Sequence, residues 1–166
     1  MFRSMRRSKQ VLSERETVEI LEKGTSGVLA VSGDDGYPYA VPISYVYADG
    51  KIYFHSAAAG HKIDAMRRNE KVSFSVIGQD QIVPDEFTTY FRSAIAFGKV
   101  RIIEDVQEKK DAIRKLAVKY SPMPELKKAL EEEIESQFKP LTMIEMTIDH
   151  LSGKEAIELV RAKNKK

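Results

Sequence analysis

The chain has 166 residues, 42% of them hydrophobic and 31% charged, and its formal net charge is only +2. That length and apolar content suit a single domain, residues 1–166, with a core of its own, and so small a charge gives no general attraction to nucleic acid. With no cysteine, disulfides, thiolate metal sites and a cysteine nucleophile are excluded together.

A metal would have to use His55, His61, His150 and carboxylates, whose spacing matches no ligand motif, so no metal is expected. The start MFRSMRRSKQ has no apolar stretch of signal-peptide length, and no run of about 18 apolar residues occurs. The expectation is a soluble cytoplasmic protein with neither membrane nor nucleic-acid partners.

After a basic segment (1–12), VLSERETVEILEKG predicts a helix. Ser13 and Glu16 have capping-box spacing, Val18, Ile20 and Leu21 supply a buried side, and Gly24 is placed to end it. From Thr25 the period falls to two. GVLAVSG, YPYAVPISYVYA and KIYFHS read as antiparallel strands joined by turns at Asp34-Asp35-Gly36 and Asp49-Gly50.

A short helix over HKIDAMRR leads to KVSFSVIG, with Val72, Phe74 and Val76 on one face, and then to a loop from Gln79 to Glu86. FTTYFRSAIAFGKVRIIE alternates too long for one flat strand, and Gly98 is the expected bend. VQEKKDAIRKLAVKY carries Ile113, Leu116, Ala117 and Tyr120 at helical spacing; ELKKALEEEIESQF does the same with Leu126, Leu130, Ile134 and Phe138, and Pro122 and Pro124 separate the two. LTMIEMTIDHL is the last strand, and the tail 161–166, RAKNKK, is expected to fray. Six strands without βαβ repetition predict a mainly β fold, a closed six-stranded antiparallel barrel with helices packed outside. There is no GxGxxG and no P-loop.

The segment HSAAAGHK raises the functional question, because Lys62 falls in the first turn of the predicted helix, where the dipole disfavours a cation. Small residues at 57–60 let backbone amides approach a ligand, the helix start adds positive potential, and Ser56 and Lys62 add a hydroxyl and an ammonium. Together they suit an anion; the same AAAG is equally a permissive linker. His55 and His61 are candidates for proton or hydrogen-bond donation, or plain polar rim residues. Arg67 and Arg68 complement the helix dipole at its other end.

Tyr37, Tyr39, Tyr45, Tyr47 and Tyr53 fall in two neighbouring strands and either wall a flat ring system or pack a core or interface. Pro42 implies an edge or an interrupted strand, which frees backbone groups around Ile43 and Ser44 to bond the edge of a heterocycle.

The elements GYPYAVP, IYFHSA, GHKIDAMRRN and KVSF, in that order, closely resemble the flavin-binding split barrels related to pyridoxamine 5'-phosphate oxidase, and within them the nitroimidazole-resistance group. Weaker similarity runs through FRSAIAFGKVRIIED and KYSP, so the likeness covers about residues 5–150. The resemblance implies a homodimer of split barrels with FMN at two sites between the subunits. It places the phosphate at His55, Ser56, His61 and Lys62, and the isoalloxazine along Val41, Pro42, Ile43 and Ser44. Arg92 and Ser93 are the residues expected from the second subunit.

FMN-mediated electron or hydride transfer to a small nitro- or quinone-like acceptor, with NAD(P)H as a candidate donor, is the implied activity. His61 is the candidate catalytic residue, with a purely phosphate-binding role as its alternative. A non-catalytic module holding flavin, deazaflavin or heme is the competing expectation. Met66 stands where the family has leucine, and the pyridoxamine phosphate oxidase reaction itself is not expected, because that enzyme's substrate-binding arginine and histidine are not matched near the end of the chain.

Overall fold

The computed structural model describes residues 1–122, 127–138 and 140–165, without the side chains of 127, 130, 133 and 137. The strands are β1 (Ser26–Ser32), β2 (Pro38–Ala48), β3 (Lys51–Ala57), β4 (Lys71–Val83), β5 (Thr88–Ile102) and β6 (Leu141–Glu155). They close into one antiparallel barrel in the order β1-β2-β3-β6-β5-β4. The helices among the described residues are α1 (Glu14–Lys23), α2 (His61–Arg68), α3 (Val106–Tyr120), α4 (Lys127–Gln137) and α5 (Ile157–Lys163).

Alternation along the strands sends one set of side chains inward. Leu29, Val31, Tyr45, Ile52, Phe54, Val72, Phe74, Val76, Ile144 and Met146 form the buried interior with Ala94 and Ala96. The bulk of Phe74 is accommodated because its ladder partner on β5 is Ala96, and Val76 likewise faces Ala94. Phe74 meets Tyr45 and Phe54 edge-on, with centroids 4.8 and 5.1 Å apart, a geometry that suits the ring quadrupoles. Outside the barrel, Ala112 of α3 packs on Val46, Tyr53, Ile103 and Met143.

The capping box at Ser13 and Glu16 is present. Gly24 ends α1 in extended backbone, φ −65° and ψ 141°, so it is not a left-handed cap. Its requirement is space: a Cβ there would lie 2.6 Å from Tyr45 Oη and 2.7 Å from Val76. Gly98 is where β5 shifts register against β6, and a Cβ there would lie 1.9 Å from the Thr147 carbonyl oxygen. The bend expected at that glycine is therefore a bulge forced by close backbone approach.

Two expectations are corrected. Residues 79–83 are not a loop: a bulge between Ile77 and Gln79 resets the register, and β4 continues to Val83, paired with β5 from Thr88. This outer part of the hairpin is polar or exposed on both faces, so it shows no period-two signal in the sequence. The tail is not frayed throughout, since Ile157–Lys163 forms α5, where Lys163 bonds Glu16 at 2.5 Å and Glu155 at 2.7 Å. Pro124, Leu126 and the side chain of Leu130 lie outside the described residues.

Candidate functional site

Between β2 and β3 the barrel opens. β2 pairs with β1 from Pro38 to Ser44 and with β3 only from Tyr45 to Ala48. β3 runs three residues further, and His55, Ser56 and Ala57 pair only with Met143, Thr142 and Leu141 of β6, which lines the other edge of β3 along its whole length. Residues 42–44 and 55–57 are therefore the two lips of a split, with the backbone edge of Val41–Ser44 facing no strand on that side. The interruption expected at Pro42 is this split; Pro42 itself is held on its other edge by Val28.

α2 begins beside the split. Gly60 makes the turn at φ 126° and ψ 169°, a conformation that L side chains rarely adopt, and its carbonyl accepts from the amides of Ile63 and Asp64. The amides of His61 and Lys62 lie in the first turn, ahead of any intrahelical acceptor. Lys62 Nζ donates to Ser56 Oγ at 2.9 Å, and Ser56 is 6% exposed, on the inward side of β3 with Phe54. A helix start, a buried hydroxyl and an ammonium bonded to a neutral group form a donor set suited to a phosphate.

The other predicted residues divide. His61 is turned to the β1–β2 corner: its ring lies parallel to Tyr39, centroids 4.1 Å apart, and Nε2 is 3.4 Å from Asp34 Oδ2. Arg68 donates to Asp34 Oδ1 at 2.5 Å and Asn69 to Ser32 Oγ at 3.0 Å, so α2 is fastened to that corner at both ends. His55 is exposed and, by strand alternation, leaves the opposite face from Ser56; the two are not brought together.

Arg92 and Ser93 sit on β5, separated from β3 by β6 and from β2 by β4 and β1. Arg92 Nε bonds Glu155 at 3.1 Å, so one chain does not carry either residue to the split. The five tyrosines form no single wall. Tyr45 is buried, Tyr39 stacks on His61, Tyr47 is half-buried against the barrel core, Tyr53 lies under α3 and Tyr37 is exposed.

Sequence reasoning missed Asp34 and Tyr39 as partners of His61. Asp34 reads locally as an ordinary turn residue, and only the closure of the sheet brings it to α2.

The outer face of β1, β4 and β5 carries apolar side chains in register. Val28, Ser75, Ile95 and Ser152 form one transverse row, and Ala30, Ser73, Phe97 and His150 the next. Val28, Ile95 and Phe97 are each 37–39% exposed, and Phe2 of the N-terminal arm stacks on His150 at 4.7 Å.

A family model described as pyridoxamine 5'-phosphate oxidase matches residues 13–155, which takes in all six strands and the site. The chain belongs to the pyridoxamine 5'-phosphate oxidase family. None of the curated proteins matches it. Among solved structures of this fold, an FAD-binding protein of Mesorhizobium loti is 26% identical, with a TM-score of 0.65 over 89% of this chain and 97% of that one. A candidate 5-nitroimidazole antibiotic resistance protein of Bacteroides thetaiotaomicron is 22% identical, with a TM-score of 0.73 over 87% and 86%. An FAD- and heme-binding protein of Mycobacterium smegmatis is 20% identical, at 0.72 over 89% and 73%. The expected split barrel is thus the fold of the chain. No helix among the described residues is long and apolar enough to cross a membrane.

Proposed function

We propose that this member of the family is an FMN-binding flavoprotein and an oxidoreductase, passing electrons or hydride from NAD(P)H to small nitro- or quinone-like acceptors. The observation that carries the proposal is the split itself. The edge of Val41–Ser44 that faces away from β1 has no partner strand and lies beside the Ser56–Lys62 pair at the start of α2. One lip suits the polar edge of a heterocycle and the helix start suits a phosphate, and FMN carries both. Flavin-binding neighbours of the same fold support the assignment.

When bound, the isoalloxazine supplies the redox chemistry. The protein's part is to hold the phosphate with Ser56, Lys62 and the amides of α2, to present backbone groups of Val41–Ser44 to the ring, and to keep solvent off it. In this proposal His61, held between Tyr39 and Asp34, gives or takes the proton that accompanies reduction of the acceptor.

The part-exposed apolar side chains Val28, Ile95 and Phe97 are assigned to a contact with a second copy of the chain, which would place Arg92 and Ser93 at its partner's cofactor. Surface of that kind is what homodimer interfaces bury.

Absorbance and mass spectrometry of the purified protein test the proposal, with denaturation releasing FMN at one per chain, and sedimentation showing a dimer. NADH or NADPH should bleach the flavin, and a nitroaromatic or quinone should restore its colour with turnover. A colourless protein that also ignores added FMN overturns the flavin assignment; bound flavin without turnover for any donor overturns the enzymatic one.

A further inference from the structure

At Tyr45, β2 leaves β1 on one edge and joins β3 on the other. The last rung between β1 and β2 is Ser26–Ser44, and continuation of that ladder would set Thr25 opposite Tyr45. The rung is not made. Instead, the hydroxyl of Tyr120, from the last residue of α3, stands between the two chains. It accepts the amide N–H of Tyr45 at 3.1 Å and donates to the carbonyl of Thr25, with the carbonyl oxygen of Tyr45 3.0 Å away. A side-chain hydroxyl from a residue 75 positions further along the chain takes the place of a backbone rung.

The same turn of α3 adds a second tie. Lys119 Nζ donates to the Gly24 carbonyl and lies 4.2 Å from the centre of the Tyr45 ring. The Tyr45 hydroxyl in turn donates to the Leu21 carbonyl at 2.7 Å, which satisfies an acceptor near the end of α1. Burial pushes the Lys119 ammonium pKa down, which marks the joint as partly dry. Three elements distant in sequence therefore meet at the residue where β2 changes partners: the end of α1, the bend of β2 and the end of α3.

We propose that Tyr120 is a positioning residue for the split: by wedging its hydroxyl between Thr25 and Tyr45 it fixes the point at which β2 parts from β1, and so fixes the lip Val41–Ser44. The inference rests on the flavin assignment for its functional consequence but not for its structural one. Zipping β2 further onto β1, or letting it slide, moves the lip; the wedge prevents both. It also gives α3 a function beyond covering the barrel.

The experiment compares the full-length parent with Tyr120→Phe and, as a control for general destabilisation, Val100→Ala in the barrel interior. Phenylalanine keeps the ring between the chains but leaves the Tyr45 amide and the Thr25 carbonyl without their partner, which costs a half-buried donor its bond. Hydrogen exchange of the flavin-free protein should quicken about tenfold or more in peptides covering 25–27 and 39–46. Exchange elsewhere in β4–β6 should stay near parental. Val100→Ala should lower the melting temperature without that local signature. FMN titration should show the dissociation constant of Tyr120→Phe raised about tenfold, with a shifted flavin absorbance band, and that of Val100→Ala changed by less than about threefold.

Exchange at 39–46 no faster than in Val100→Ala overturns the inference outright. Faster exchange with parental FMN affinity and spectrum overturns the link from the joint to the cofactor. If the parent itself binds no FMN, the flavin assignment fails, while the exchange comparison still decides whether Tyr120 holds the split.

Discussion

Replacing Lys62 with alanine separates a phosphate site from a lysine that merely caps a strand. Lys62 Nζ is 2.9 Å from Ser56 Oγ, so an anion bonded to that hydroxyl would lie roughly 4–5 Å from the ammonium. At an effective dielectric of about 20, one pair of unit charges at 4 Å is worth about 4 kcal/mol. Half-exposure of the side chain and the entropy of ordering it bring this toward about 1.5–3 kcal/mol, the range for a hydrogen bond to a charged group. The expected loss in FMN affinity for Lys62→Ala is therefore about 10- to 150-fold.

Riboflavin supplies the control, because it keeps the ring and lacks the phosphate. Fluorescence titrations of parent and variant with both ligands form a cycle in which only FMN binding should fall, and the parental preference for FMN should weaken as salt is raised. If Lys62→Ala keeps the parental ratio of FMN to riboflavin affinity, the phosphate does not lie at the start of α2.

Three further outcomes follow from the structure. Asp34→Asn removes a carboxylate beside His61 and should strengthen FMN binding roughly two- to fivefold at low salt, opposite in sign to Lys62→Ala; weaker binding would show that the fastening of α2 outweighs charge. Gly98→Ala drives a Cβ to within 1.9 Å of a backbone oxygen that no rotamer change can move. Its cost should be about 3 kcal/mol or more, a fall in melting temperature of about 6–12 °C by calorimetry, and a fall under 2 °C would contradict the close approach. The Glu16 carboxyl is lowered from 4.5 to about 2, chiefly by the hydrogen bond from Lys163 and then by those from Ser13. Its contribution is therefore present above pH 4.5 and lost as the pH falls toward 2. Because the group is partly exposed, Glu16→Gln should cost about 1 kcal/mol at neutral pH, and the gap between parent and variant in denaturant titrations should close through that acid window.

The elements most legible in the sequence are those whose signals are local. The capping box at Ser13, the turn at Asp49-Gly50 with both residues at positive φ, and the alternation of Val72, Phe74 and Val76 each declare themselves within a few residues. The donor set of Ser56 and Lys62 was legible for the same reason, since six residues and one helix start bring them together. Arg68 could be assigned to the helix dipole, but its partner Asp34 lies 34 residues away and is supplied only by the barrel's closure. The outer part of β4 reads as a loop in the sequence because residues 80–82 are exposed on both faces, where burial imposes no period. Tyr120 looked like one more apolar position of α3, because its use depends on a hydroxyl reaching a rung that the backbone leaves unmade.

A sheet closed on itself has no selvage for a stray strand to join, and between β2 and β3 this barrel gives up that protection along a short ledge. Proline at position 42 withdraws a donor from the ledge, and the opposite rim, His55–Ala57, is only three residues long before the chain turns away. Too short and too poor in donors to template a foreign strand, the opening can stay available to a small flat molecule without inviting edge-to-edge assembly.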